Sequence, residues 1–219
     1  MKNLILLYSG GMDSLIGWEW LDRPKTLYVD LGHKYREKEL IAIQKTIPDT
    51  KIIENHVIGS YEKEDAEIPN RNLLLAMYAA LEGANNIAVI VQKDEMSIPD
   101  RSDAFFDATS DLLSLLNNRR IEVFSPFASM DKTDMVEWFL HRDLPVQPLL
   151  DTVGCYSDED DHCGDCPACL RRFIAFKNND VDPGYTLTER IKSIYRENLS
   201  SYSKDRQNAM RRWLKEVTT

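Results

Sequence analysis

Five short apolar, β-branched segments alternate with longer amphipathic ones, and this order constrains the fold more than any other property of the chain. Asn3 to Tyr8, Lys25 to Asp30, Lys51 to Glu54, Asn86 to Gln92 and Arg120 to Phe124 are bounded by Gly, Pro, Asn or Asp and read as buried strands. Between them, Asp13 to Leu21, Tyr35 to Thr46, Asn70 to Glu82 and Ser102 to Asn117 carry apolar residues at helical spacing. Strands joined through helices return to one sheet by right-handed crossovers. The expectation is therefore an α/β fold with a doubly wound, mostly parallel sheet and ligands at the carboxyl ends of its strands. A further helix is expected over Lys132 to His141, with Asp131 as its N-cap. After Pro145 the pattern breaks into a loop, and another helix begins near Cys166 and runs through Arg171 to Phe176.

The 219 residues suffice for one substantial core plus an appendage, so one domain is expected, with 1–182 as its body and 183–219 as a tail. The longest apolar runs, Leu4 to Tyr8 and Ile87 to Val91, fall far short of the roughly 18 residues of a bilayer span. With no hydrophobic leader after Met1-Lys2-Asn3, a cytoplasmic protein without a membrane partner is expected. The net charge of −9 opposes attraction to polyphosphate backbones and argues against nucleic acid as a direct partner. That charge is unevenly placed. From Pro183 onward eight Lys or Arg face four Asp or Glu, so the tail is +4 and everything before it is −13. The asymmetry fits two short helices laid on an acidic surface, the chain's own or that of a second copy in a homodimer; solvated helices are the plainer alternative.

Ser9-Gly10-Gly11-Met12-Asp13-Ser14 follows the first strand directly and opens the first helix. Two glycines let the backbone turn sharply and approach an anion, Ser9 and Ser14 add hydroxyl donors, and a helix N-terminus supplies unpaired N–H groups. No Gly-Lys-Ser/Thr follows, so this is not a Walker loop. The hexapeptide resembles instead the Ser-Gly-Gly-x-Asp-Ser loop of the PP-loop ATP pyrophosphatase superfamily. That resemblance implies cleavage of ATP between the α and β phosphates, transfer of AMP to a substrate oxygen, and displacement of AMP by a nucleophile. It also implies Mg²⁺ to neutralise pyrophosphate, with Asp13 as a candidate ligand, and adenine near the end of the second strand at Tyr28-Val29-Asp30.

Cys155, Cys163, Cys166 and Cys169 form C-x7-C-x2-C-x2-C within 151–178. Four thiolates so close in sequence suit a closed, structural Zn²⁺ site in a reducing compartment, with an iron–sulfur cluster as the competing occupant. His162 could replace one thiolate, although a His beside a ligand Cys is more often outside the coordination sphere. With all four cysteines committed, no thiol is left for persulfide or glutaminase chemistry.

Together these motifs resemble the 7-cyano-7-deazaguanine synthase family along residues 1 to about 180. Cys155-Tyr156, His162-Cys163-Gly164, Cys166, Cys169, Arg172, Ala175 and Phe176 match its zinc segment. Asn70-Arg71-Asn72 matches its Arg-Asn pair, Ser97, Pro99 and Asp100 its substrate loop, and Lys132 the lysine after its Ser/Thr-Pro loop. The resemblance implies an adenine nucleotide α-hydrolase-like fold. It also implies a ligase-type reaction in which a deazapurine acid is adenylylated by ATP and attacked by ammonia, and the amide is activated again and dehydrated to a nitrile. On that pattern Ser9, Gly10, Gly11, Met12, Asp13, Ser14 and Val29 hold the nucleotide, and Asp13 and Lys132 act on its phosphates. Arg71, Asn72, Ser97 and Asp100 hold the acid. A paralogue that adenylylates another acid, or stops at the amide, is the alternative. The substrate loop Ser97-Ile98-Pro99-Asp100-Arg101 is two residues shorter than the family's and lacks its Gly and Cys. Gly32-His33-Lys34 replaces the family's Gly-Gln-Arg, and the tail lies outside the resemblance.

Overall fold

The apolar strand that precedes the hexapeptide, Leu4–Leu7 (β1), is buried along its whole length, as expected of a strand with neighbours on both edges and helices on both faces. In the computed structural model, which describes residues 3–63, 68–157 and 161–202 together with 204, 207, 208 and 210, β1 is the centre of a five-stranded sheet. The others are Lys25–Asp30 (β2), Lys51–Glu54 (β3), Asn86–Ala88 (β4) and Glu122–Phe124 (β5), in the order β3-β2-β1-β4-β5. Every pairing is parallel, with Leu6 opposite Thr26 and Ala88, Val29 opposite Ile53, and Ile87 opposite Val123. The strand order reverses between β1 and β4, which opens a crevice at their carboxyl ends.

Alternation along β1 divides the core. Leu4, Leu6 and Tyr8 face Met12–Trp20 (α1), Arg36–Thr46 (α2) and, beyond them, Lys132–Leu140 (α5), packing among Ile16, Ile43, Met135 and Phe139. Ile5 and Leu7 face Arg71–Leu81 (α3) and Asp103–Asn117 (α4) among Ala76, Ala79, Phe106 and Leu113. The sheet is thus wound on both sides, as the alternation of segments predicts. Asp131 caps α5 through a capping box: its carboxylate accepts from the Thr133 and Asp134 amides at 2.8 and 3.0 Å, and Asp134 accepts from the Asp131 amide.

Several boundaries shift by a residue from the sequence reading, and larger departures have local causes. β4 ends at Ala88 because beyond Val89 the Ser125 hydroxyl takes over the ladder, accepting from the Val91 amide and donating to its carbonyl at 3.0 and 2.7 Å. β5 begins only at Glu122 because Ser114 of α4 takes the Ile121 amide. The loop expected after Pro145 contains one helical turn, Gln147–Leu150 (α6), started by Pro148 in its first turn, where a missing N–H costs nothing.

The cysteine-bearing helix, Pro167–Lys177 (α7), packs against α5 and carries the described part of the tail. Glu189–Asn198 (α8), capped by Thr188, buries Ile191 and Tyr195 against Leu170, Phe173 and Ile174 of α7, with Leu187 and Met210 completing a separate apolar cluster. The described part of the tail therefore sits on its own chain through apolar contact. Among the described residues, no helix is long and apolar enough to cross a membrane.

Candidate functional site

At the switch point a cleft of about 510 Å³ opens over the carboxyl ends of β1, β2 and β4. The turn out of β1 forms its floor. Gly10 adopts φ +71°, and a Cβ there would stand 2.9 Å from the Glu39 carbonyl oxygen and 3.0 Å from the Ala42 side chain, so this position needs glycine for both conformation and space. The Gly10 carbonyl accepts from the Val153 amide at 3.0 Å, and Gly11 bridges to Val153 as if to extend the sheet. Gly11 caps α1 with no side-chain hydrogen bond, and Leu15 makes the first backbone bond back to Gly11. The amides of the first turn thus meet the cleft without a side-chain cap, the arrangement that receives an anion. Ser9 is exposed at the rim, whereas Ser14 is buried and donates to the Gly11 carbonyl at 2.9 Å. Ser9, Gly11, Met12, Asp13, Ser14 and Val29 all line the cleft; Gly10 supports it from behind.

Asp13 and Lys132, 119 residues apart, meet here. The Lys132 ammonium pairs with Asp13 Oδ2, which also accepts from Gln92 Nε2 at 2.6 Å. Asp13 Oδ1 is buried and has no hydrogen-bond partner among the described residues. A carboxyl oxygen without a donor beside an uncapped helix N-terminus fits a hard cation such as Mg²⁺. Lys132 opens α5, so the Asp131 capping box fixes its approach to the cleft.

The opposite wall carries three of the expected acid-binding residues. Asn72, buried in the first turn of α3, donates to the Asp100 carbonyl at 3.0 Å, and Arg71 and Asp100 line the cleft beside it. Ser97 does not join them: it is exposed and is not part of the lining. Glu95, at the base of this wall, pairs with Arg101 at 2.8 Å and stands 3.7 Å from Arg171 of α7.

The four cysteines converge at the edge of the cleft. Their sulfurs lie within 4.8 Å of one another, and Cys163 Sγ to Cys169 Sγ is 3.9 Å. Tetrahedral Zn²⁺ with bonds of about 2.3 Å requires sulfurs about 3.8 Å apart. No disulfide links them, and amides of Ser157, Cys163, Asp165 and Cys169 point at sulfur acceptors from 3.4 to 3.5 Å. The set fits a thiolate-bound metal such as zinc, with Cys166 also serving as the N-cap of α7. His162 stands apart from it. Its ring stacks on Tyr185 at 4.9 Å, and burial first, then the Arg172 charge, pushes its pKa down to about 4.

Arg172, 3 % exposed, has no carboxylate partner among the described residues; burial pushes its pKa down to about 10. It donates to Thr152 Oγ1 at 2.6 Å and to the Leu149 and Leu150 carbonyls at 2.8 and 3.1 Å, so a buried cation closes the C-terminus of α6. Gly164 at φ +64° lets the cysteine loop pass the Thr186 carbonyl, and Asp165 is held by Thr188 and by Arg190 Nε at 2.8 Å. These contacts fasten the loop to the tail.

Residues 25–180 match the family model described as queuosine biosynthesis protein QueC. The chain belongs to this family. It is 28% identical to 7-cyano-7-deazaguanine synthase 1 of Colwellia psychrerythraea, over 83% of this chain and 97% of that protein. It is 27% identical to the 7-cyano-7-deazaguanine synthases of Pseudoalteromonas atlantica (84% and 98% covered) and Chlorobaculum tepidum (81% and 93%).

Within this QueC-family cleft, several lining residues went unread in the sequence. Gln92 fixes Asp13, yet only its place at the end of an apolar strand pointed to the cleft. Glu39, also unread, joins Tyr28 of the expected adenine wall and His33, read as a departure from the family's Gly-Gln-Arg that bears on oxygen or ammonia handling, in a polar wall beside the Gly10 turn, and Arg171 reaches in from the cysteine helix. Helical spacing places Glu39 and Arg171 on their helices; which face meets the cleft is set by the packing of α2 and α7.

Proposed function

We propose that the chain converts 7-carboxy-7-deazaguanine and ammonia to 7-cyano-7-deazaguanine, consuming ATP at each of two activations. The observation that carries this reading is the convergence on one cleft of the uncapped Ser9 to Ser14 turn, the Asp13–Lys132 pair, and Arg71, Asn72 and Asp100. The names of relatives matched over nearly their whole length support the same substrate. Bound Mg²⁺ would neutralise polyphosphate charge, with Asp13 Oδ1 as the available oxygen; bound zinc would fasten the cysteine loop. The first-turn amides of α1, with Ser9, hold the phosphates. Lys132 balances charge on the α phosphate or the departing pyrophosphate, and Val29 walls the adenine. Asp100 accepts from the N–H edge of the guanine-like ring, and Arg71 and Asn72 position the acid. An oxygen made into a phosphate ester becomes a leaving group, so nitrogen displaces AMP first from the acid and the amide is then dehydrated, with AMP and pyrophosphate or its hydrolysis product released. Residues 1–182 form the catalytic body, including the zinc segment 151–178, and 183–219 the tail.

A second reading, activation of a different acid or arrest at the amide, is favoured by one observation: Ser97 lies outside the cleft, in the shortened loop. One experiment separates the two. The protein is incubated with 7-carboxy-7-deazaguanine, ATP, Mg²⁺ and ammonium, and the product is weighed by mass spectrometry. The nitrile is expected, and Lys132→Met should lower pyrophosphate release by about 10²-fold or more, the scale of losing an electrostatic stabiliser. Accumulation of the amide, or no conversion, overturns the proposal.

A further inference from the structure

The α2 wall of the cleft contains a cluster to which the reading above gives no role. His33 follows β2, is 7 % exposed and lines the cleft. Neither ring nitrogen has a hydrogen-bond partner among the described residues. Its Nε2 lies 3.1 Å from Glu39 Oε2, out of line for a hydrogen bond, while that same oxygen accepts from the Tyr28 hydroxyl at 2.7 Å. The Tyr35 ring packs against the imidazole at 4.4 Å. The cluster adjoins the phosphate turn, because the Glu39 carbonyl is the atom that a Cβ on Gly10 would strike. Its backbone is fixed from below. Asp30 accepts from the Gly32 amide at 3.0 Å and from Arg36 and His56 at 2.8 to 3.0 Å, so the segment carrying His33 is clamped at both ends.

A buried imidazole with an open lone pair and a carboxylate behind it is the arrangement of a base awaiting a proton, the carboxylate orienting the ring and stabilising the imidazolium. Resting on the reaction proposed above, we propose that His33 is the catalytic base that takes the proton from nitrogen when ammonia displaces AMP, with Glu39 as its positioning residue. In that step the nitrogen lone pair forms the C–N bond. The C–O bond to AMP breaks, its electron pair staying with the phosphate oxygen. The surplus N–H proton passes to the imidazole and then to water, leaving the amide. The charged and titratable groups facing the cluster are Tyr28 and Asp30 from β2, and Tyr35, Arg36 and Glu39 from α2 or its start. Arg71 of α3, Glu62 and Tyr156 complete the set around Tyr35. Burial, then the Glu39 charge, holds the Tyr28 hydroxyl protonated, so it stays a donor to Glu39 and does not compete for the proton.

The test separates activation from aminolysis. His33→Gln, which keeps a polar side chain without a base, is compared with wild type in acid-dependent exchange of labelled pyrophosphate into ATP, in turnover with ammonium, and in turnover with hydroxylamine, a much weaker base whose nitrogen, once bonded to carbon, sheds its proton to water unaided. The expected result is exchange within about twofold of wild type, ammonium turnover lowered by about 10²-fold, the lower end for general base catalysis, and hydroxylamine turnover lowered at least tenfold less. Glu39→Gln should show the same split in weaker form, a selectivity that a merely structural role would not produce and that stands if one variant folds poorly. Equal losses with both nucleophiles overturn the proposal. So does a raised ATP requirement in the exchange, which would assign His33 to the nucleotide. Absence of acid-dependent exchange in the wild type instead removes the reaction itself.

Discussion

Asp30 carries more of the site than its place beneath the cleft suggests. It is 1 % exposed, and burial alone would raise its pKa; the Gly32 amide, Arg36 and His56 outweigh that and hold the carboxyl below its ordinary 3.8. A carboxyl whose pKa is depressed on folding adds stability that is present above the unfolded value and lost as pH falls through the folded one. The urea midpoint of the wild type should therefore decline as pH drops below about 4. Asp30→Asn should be less stable at neutral pH and show a shallower decline; an identical slope in both would remove Asp30 from the acid response. Neighbouring residues show what a sequence can and cannot disclose. Gly10, Gly11 and Asp13 were legible because a turn without Cβ atoms after an apolar strand leaves few physical explanations. His33 was legible only as a departure from the family's Gly-Gln-Arg that bears on oxygen or ammonia handling; its surroundings were not, because they depend on Glu39 and Tyr28, brought to it by the fold of β2 and α2.

At the scale of elements, α7 links two sites that sequence presents as separate. Cys166 caps it, Cys169 closes its first turn, and Arg171 and Arg172 follow at once in the lining of the cleft. A metal held by the four sulfurs therefore fixes where these guanidinium groups stand. Structural zinc in small domains contributes apparent binding free energy on the order of 10 kcal/mol to folding, so chelation should do more than slow turnover. Loss of the metal should lower the melting temperature followed by circular dichroism and expose the apolar cluster of Leu170, Phe173 and Ile174 to a hydrophobic dye. Unchanged melting after complete metal removal would contradict this. The helix itself was legible from Cys166 onward, and the capping of α5 from Asp131. The short turn α6 was not, because its C-terminus is satisfied by Arg172, 22 residues further along the chain.

For the whole molecule, the charge asymmetry between body and tail was legible but its use was not. The described part of the tail is seated by apolar side chains, and Thr188 and Arg190 tie it to Asp165 of the cysteine loop, contacts that lower the Asp165 pKa. Burial of Ile191 should thus matter more than any exposed tail charge. Ile191→Ala should cost roughly 2–5 kcal/mol, and about 2–4 °C of melting temperature per kcal/mol for a chain of this size. A change within error would show that the tail does not belong to the cooperative unit. The parallel sheet and its two covered faces follow from the order of apolar segments, which any reader of the chain can see. The bridge from Gly11 to Val153 does not, and it dictates an order of events. During synthesis the ribosome must deliver some 140 further residues before the Gly11 turn acquires its partner, so this edge of the cleft is completed late, well after the strand beneath it has been made.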